Sequence, residues 1–327
     1  MTVDSAVPVR GIGSAFEPVG TDVGDRNVLG RVVFSDLGVQ PAIADGVPTV
    51  IVPMGGGFQE VFTSERPVRT GVDGRLVYAE DGERLFCAAR IDRRGVYRDT
   101  VRIAYDSAFE LITRLGYPQV LRMWNLVGGI IDDNADGLEI YRDFCIGRAE
   151  AFDTWAGRVG RIPAATGIGT RGQDVYLYFL AGTPDAEPVH LENPHQTPAY
   201  EYPDEYGPKS PSFARATYVD GTLYVSGTAS IIGDETVRHG DVLGQTEVTL
   251  ANIADLIGAE NLDRHGVSGG FTLADLDQVK VYVRDAADIP LVKARCEEAF
   301  SPDADVVYLN VDVCRPDLLV EIEGIVR

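Results

Sequence analysis

The sequence predicts an α/β protein of two similar halves, each a mixed sheet of ββαβαβ order with helices on one face. Three observations carry that prediction. The length of 327 residues suits two domains or one domain built twice. Period-two alternation and helical spacing succeed one another cleanly through the second half. The first half repeats the same order more loosely.

In the first half, "GRLVYAEDGERLFCAARI" reads as a hairpin. "DSAFELITRLG" reads as a helix, "QVLRMWNLV" as a strand, "LEIYRDFCIGRAEAFDTWAG" as a helix and "DVYLYFLAG" as a strand. The segment "TPDAEPVHLENPHQTPAYEYPDEYGPKSP" follows. It is rich in Pro and Tyr and long for a connection, which marks it as a candidate functional loop. In the second half, "SFARATYVDGTLYVSGTAS" is two strands joined at an Asp-Gly turn. "TLANIADLIG" has helical spacing and stops at Gly258. "DQVKVYVRD" is a strand, "IPLVKARCEEAF" a helix with Pro290 in its first turn, and "DVVYLNVDVC" a strand. A last strand follows Pro316. The expected units are residues 1–185, a connecting loop 186–210, and residues 211–327.

A hydrophobic content of 45% can bury a sizeable core, and no apolar run is long enough to span a membrane. The N-terminal stretch lacks the pattern of a secretory signal. Four scattered cysteines without a CxxC pair fit a reducing cytoplasm, the expected location. The formal net charge of −21 argues against nucleic acid and anionic membranes as partners. Any anionic substrate would need a local cluster of arginines.

The four histidines form neither HxxxH nor HExxH, so no metal is expected, and no cofactor either. There is no GxSxG elbow. "MGGGFQE" and "TGIGTRG" lack a phosphate-loop ending and read as tight turns, the second with N–H groups that could approach a ligand. Arg148 lies two helical turns after Tyr141 and shares its face. Arg215 alternates with Phe213 and Thr217, and a guanidinium beside an aromatic is a good carboxylate anchor.

The end of the chain, "VDVCRPDLLVEIEGIVR", is the most informative stretch. At period two, Leu318, Val320, Ile322 and Val326 share one face, and Leu319, Glu321, Glu323 and Ile325 the other. On the strand read over residues 305–314, Val307, Leu309, Val311 and Val313 are expected against the helices. Tyr308 and Cys314 are then expected on the open face beside the acids. A carboxyl among apolar residues has its pKa raised, which suits a proton donor.

"FARATYVDGTLYVSGTAS" and "VDVCRPDLLVEIEGIV" resemble the RidA/YjgF-like (chorismate-mutase-like) fold, in which a Ser-Gly strand end and a strand like EIEAIA line a cleft. "VLRMWNLV", "YRDFCIGRAEAF", "PKSPSFARA", "VSGTASIIGDETVRHGD" and "LLVEIEGIV" more specifically resemble the chorismatase family, from about Tyr117 to Arg327. The resemblance implies chorismate as substrate, Glu321 as the acid that protonates its enol ether, and Tyr141 as a substrate contact. Arg148 and Arg215 become candidates for its two carboxylates. Tyr200 or Tyr202 is expected from the long loop, and Gly227 and Thr228 from the cleft-lining strand end. Gly227 with Cys314 implies the 3-hydroxybenzoate-forming subtype rather than the hydrolase that yields a dihydroxycyclohexadienoate. In RidA-like proteins a carboxylate-binding arginine would fall near Tyr308, which argues against imine deamination, the rival activity; a non-catalytic metabolite binder is a third reading. With two halves in one chain, a monomer is expected.

Overall fold

A computed structural model describes residues 11–327. Three sheets surround a central core. The first holds β1 (Gly13–Pro18), β2 (Asn27–Ser35), β3 (Ala42–Ala44), β4 (Val47–Pro53) and β5 (Phe58–Ser64), in the order β1-β5-β2-β4-β3. From the sequence these residues are expected within the N-terminal half. They form an additional sheet instead, and residues 1–10 of that expected unit lie outside the described residues.

The first half proper runs through β6 (Arg69–Asp73), β7 (Leu76–Glu80), β8 (Arg84–Ile91), α1 (Arg98–Leu115), β9 (Gln119–Gly128), α2 (Ile140–Trp155), β10 (Ala164–Thr170) and β11 (Val175–Gly182). Its sheet order is β10-β9-β11-β8-β7-β6, with β10 parallel to β9. The "TGIGTRG" stretch is therefore largely strand β10 and not a turn.

The second half holds β12 (Val189–Leu191), β13 (Ala216–Val219), β14 (Thr222–Ala229), the short pair β15 (Ile231–Ile232) and β16 (Glu235–Thr236), α3 (Val242–Ile257), α4 (Ala259–Arg264), β17 (Gln278–Val283), α5 (Ile289–Ala299), β18 (Asp305–Asn310) and β19 (Val320–Val326). Its sheet order is β12-β13-β14-β19-β17-β18, with β18 parallel to β17. Read from the other edge, this is the same arrangement as the first half, strand for strand. The hairpin β13–β14 turns at Asp220 (φ 50°) and Gly221 (φ 82°), as the Asp-Gly signal requires.

Helices cover only the outer faces. Tyr105, Phe109, Phe144 and Phe152 of α1 and α2 pack on Met123, Leu177 and Phe179. Leu250, Ile253, Val292 and Cys296 of α3 and α5 pack on Val279, Val281, Val320 and Ile322. The inner faces of all three sheets meet in a core that includes Phe34, Phe62, Phe86, Trp124, Tyr178, Tyr282 and Ile325. Such alternation along each strand is what two buried faces demand. No helix among the described residues is long and apolar enough to cross a membrane.

The strand read over residues 305–314 is shorter and faces the opposite way. β18 ends at Asn310, opposite the last residue of its partner, Val283. Leu309, Val311 and Val313 enter the inner core, whereas Val306 and Tyr308 pack on the helix side. Leu318 and Leu319 precede β19, and they too lie on the faces opposite to those read, Leu318 in the inner core and Leu319 against the helices.

Candidate active site

The edge strand β10 of the first half lies against β14 of the second. Gly227 N–H donates to Thr166 Oγ1 at 3.0 Å and Ala165 N–H to Ser226 Oγ at 3.0 Å. Two glycines of β10 let other segments close in. A side chain at Gly169 would collide with the backbone of Asp312, whose carbonyl accepts from Gly169 N–H at 2.8 Å. Gly167 lies under the ring of Tyr141. The 311–317 loop is thereby pinned beside β10, and it carries Cys314 and Arg315 to the same place.

A cavity of about 510 Å³ opens at this junction, within the range of small-molecule sites. Its floor is Ala165, Gly167, Gly227 and Glu321; its walls include Tyr141, Phe213, Arg215, Cys314 and Tyr202. Nearer solvent stand Glu139, Arg142, Tyr206, Glu235, His239 and Arg315.

Glu321 and Glu323 share the inner face of β19 but live in different surroundings. Glu323 accepts hydrogen bonds from Arg122 Nη2 (2.9 Å), Trp124 Nε1 (2.8 Å), Lys280 Nζ (2.9 Å) and the Thr166 hydroxyl. Burial disfavours its charge, yet Lys280 and Arg122 hold its carboxyl down at about 2. Among the described residues, Glu321 has only the Cys314 thiol nearby as a donor, at 4.0 Å. Burial first, then the charge of Glu323, push its carboxyl up to about 8. The pair thus consists of a fixed anion and a neutral acid, the division expected when environment separates two carboxyls. Burial and the Glu321 charge also raise the Cys314 thiol, which stays protonated.

Arg215 is 2% exposed. Its Nη2 donates to Thr197 O and to Tyr202 Oη, both at 2.8 Å, and its guanidinium lies 5.1 Å from the Phe213 ring. Its Nε is buried and has no partner among the described residues. A guanidinium on the wall of a partly apolar cavity is chemically suited to an anionic group.

Four expected site residues are elsewhere. Arg148 is buried behind the wall, donating to Tyr105 Oη at 2.9 Å and to Ser212 O. It shares a helix face with Tyr141, but seven residues of helix rise about 10 Å. Tyr200 is 41% exposed and lines a separate groove with His190 and Glu192. Thr228 points to the opposite side of β14 from Gly227, and its hydroxyl donates to Ser226 O at 2.9 Å. Tyr308 packs with α5, its ring 6.0 Å from Lys293 Nζ. Conversely, Arg142, Arg315, Thr166, Lys280 and Arg122 did not stand out in the sequence. Arg122 and Lys280 carried a signal, since each interrupts an apolar strand. Among the described residues, no cluster of His, Cys, Asp or Glu side chains is arranged to hold a metal ion.

Comparison with known proteins gives one consistent answer. A family model described as chorismatase FkbO/Hyg5-like, N-terminal, matches residues 60–181. A 3-hydroxybenzoate synthase of Streptomyces hygroscopicus is 46% identical, over 98% of this chain and 99% of that protein. A chorismatase of Streptomyces rapamycinicus is 44% identical, over 98% and 99%. The crystal structure of a chorismatase superposes with a TM-score of 0.94 at 42% identity, covering 98% of this chain and 100% of that one. With both the sequence and the three-sheet architecture matched over nearly the whole length, the chain belongs to the chorismatase family.

Proposed function

We propose that the protein removes pyruvate from chorismate and forms 3-hydroxybenzoate. The observation that carries this reading is the glutamate pair: a neutral Glu321 on the cavity floor beside a Glu323 held ionised. Protonating the terminal methylene of an enol ether needs such an acid, and the cation that follows needs a fixed anion close by.

Arg215 takes one substrate carboxylate through its guanidinium on the cavity wall. Arg142 and Arg315, on the outer wall, serve the other. Tyr141 covers the ring over Gly167. Glu321 gives its proton to the methylene carbon, which becomes a methyl group. The C4 hydroxyl oxygen then attacks C3, the C3–O bond breaks, and its electrons form the carbonyl of pyruvate. The hydroxyl proton returns to Glu321, with the neutral Cys314 thiol as relay. The resulting epoxide opens and the ring rearomatises. Chorismate is thereby divided into 3-hydroxybenzoate and pyruvate, with no water consumed and no redox change. The name of the Streptomyces hygroscopicus relative supports this product. Both halves of the cavity come from one chain, which supports action as a monomer, and the acidic composition and cysteine usage support a cytoplasmic enzyme.

The test is to incubate the purified protein with chorismate and separate the products by chromatography and mass. Equal amounts of pyruvate and 3-hydroxybenzoate are expected. A dihydroxycyclohexadienoate in place of the phenol would assign the hydrolase reaction, and no pyruvate would end the proposal.

A further inference from the structure

Lys280 stands directly opposite Glu323 in the β17–β19 ladder. Its ammonium donates to Glu323 Oε1 at 2.9 Å and lies 2.7 Å from Glu60 Oε2. Glu60 comes from β5, in the first sheet. All three side chains are 5% exposed or less. The ammonium also sits 5.1 Å from the centroid of the Trp124 ring, whose N–H bonds the same Glu323. Neither Lys280 nor Glu60 lines the cavity, and the first sheet contributes nothing to its walls. A buried ammonium is tolerated only where carboxylates flank it. Its place between two of them fixes where Glu323 points and keeps it charged.

We propose that Lys280 is a positioning residue for the acid step and that Glu60 holds it in place. The chain Glu60–Lys280–Glu323 keeps one glutamate ionised, so that its neighbour Glu321 retains the transferable proton. This inference rests on the proposed protonation by Glu321. It gives the first sheet a part in the chemistry although it never meets the substrate.

The experiment compares the parent with Lys280→Met and with the double variant Glu60→Gln, Lys280→Met, measuring Tm, kcat and KM. The single variant leaves the buried Glu60 carboxyl facing Glu323 with only Arg122 to balance the two, so Tm falls. Neutralising Glu60 relieves that clash, and Tm returns toward the parent. In both variants kcat stays down by about tenfold or more, a share of the 10²–10⁴-fold that a positioned acid supplies. KM changes little, because neither side chain lines the cavity. Lys280→Arg, which keeps the charge and the donors, recovers part of the rate. Recovery of kcat together with Tm in the double variant would show that the ion pair only stabilises the core, and would overturn the proposal. So would a parent-like kcat in Lys280→Met. Turnover of chorismate by the parent tests the proposed function. The ratio of variant to parent rate tests this inference, and it is read with whichever enol ether the parent accepts.

Discussion

The Cα of Gly227 faces the carboxyl of Glu321 so closely that a methyl group at position 227 would fall on Oε1. Glu321 pairs with Ala229, and Gly227 lies just before it at the irregular step of the β14–β19 ladder, between Val225 and Thr228. The glycine therefore makes room for the acid itself. This changes what a substitution there does, since from the sequence position 227 is expected only as part of the cleft-lining strand end.

Gly227→Ala is expected to lower pyruvate release from chorismate by about 10²-fold, because a displacement of roughly 1 Å at the reacting group carries a penalty of that order. A coupled assay for pyruvate reads it directly. Full pyruvate release with an altered aromatic product would show that the carboxyl moves aside harmlessly and that the methyl acts on the ring alone.

As the proposed acid, Glu321 must carry its proton to act. Its carboxyl is raised to about 8 and that of Glu323 lowered to about 2. The competent state, Glu321 neutral with Glu323 charged, is thus populated below about 8, and kcat/KM is expected to fall as pH rises through that value. Glu321→Gln keeps the shape and loses the proton. It is expected to bind chorismate and release pyruvate at least about 10²-fold more slowly. A pH profile flat to well above 8 would assign the proton to another group.

The two arginines named from sequence are expected to respond differently. Arg215→Gln removes a buried cation from the cavity wall, a change worth about 2–5 kcal/mol when its partner is a bound anion, and should appear as a raised KM. Arg148→Ala removes donors to Tyr105 and to the Ser212 carbonyl, each charged hydrogen bond worth about 1.5–3 kcal/mol. It should appear as a lowered Tm, with the folded fraction still active. Equal effects on KM from both would place Arg148 in contact with substrate.

Cys314→Val isolates the product branch, because it leaves position 227 alone. Valine fills a similar space and cannot relay a proton. The product is expected to shift toward the dihydroxycyclohexadienoate while pyruvate release largely persists, as chromatography of the reaction would show. An unchanged yield of 3-hydroxybenzoate would remove the thiol from that choice.

The alternation in β19 made the glutamate pair legible, since period two depends only on local geometry. What period two leaves open is which face meets the helices. That is why Tyr308 was expected beside the acids and Cys314 on the same strand. The ladder stops at Asn310 because β17 ends at Val283, and the Asn310 side chain instead donates to the carbonyls of Val283 and Arg284. Cys314 reaches the cavity from a loop, held there by Gly169. The first sheet was missed because β1, β2 and β5 pair across long stretches of chain, although Asp45-Gly46 carries the same turn signal as Asp220-Gly221. Arg315 lies in a loop and Arg142 is a half-exposed position in the first turn of α2, so only the folded chain shows that both reach the cavity.

The two halves repeat one strand plan, yet they present different side chains to the shared interior. Where β19 turns Glu321, Glu323 and Ile325 inward, its counterpart β11 turns Tyr176, Tyr178 and Leu180. An assembly of identical single halves would have to carry every substitution at all of its equivalent positions at once. Joining the halves in tandem removes that constraint: one copy can hold the reagent while the other becomes the surface it works against, and each can change without the other.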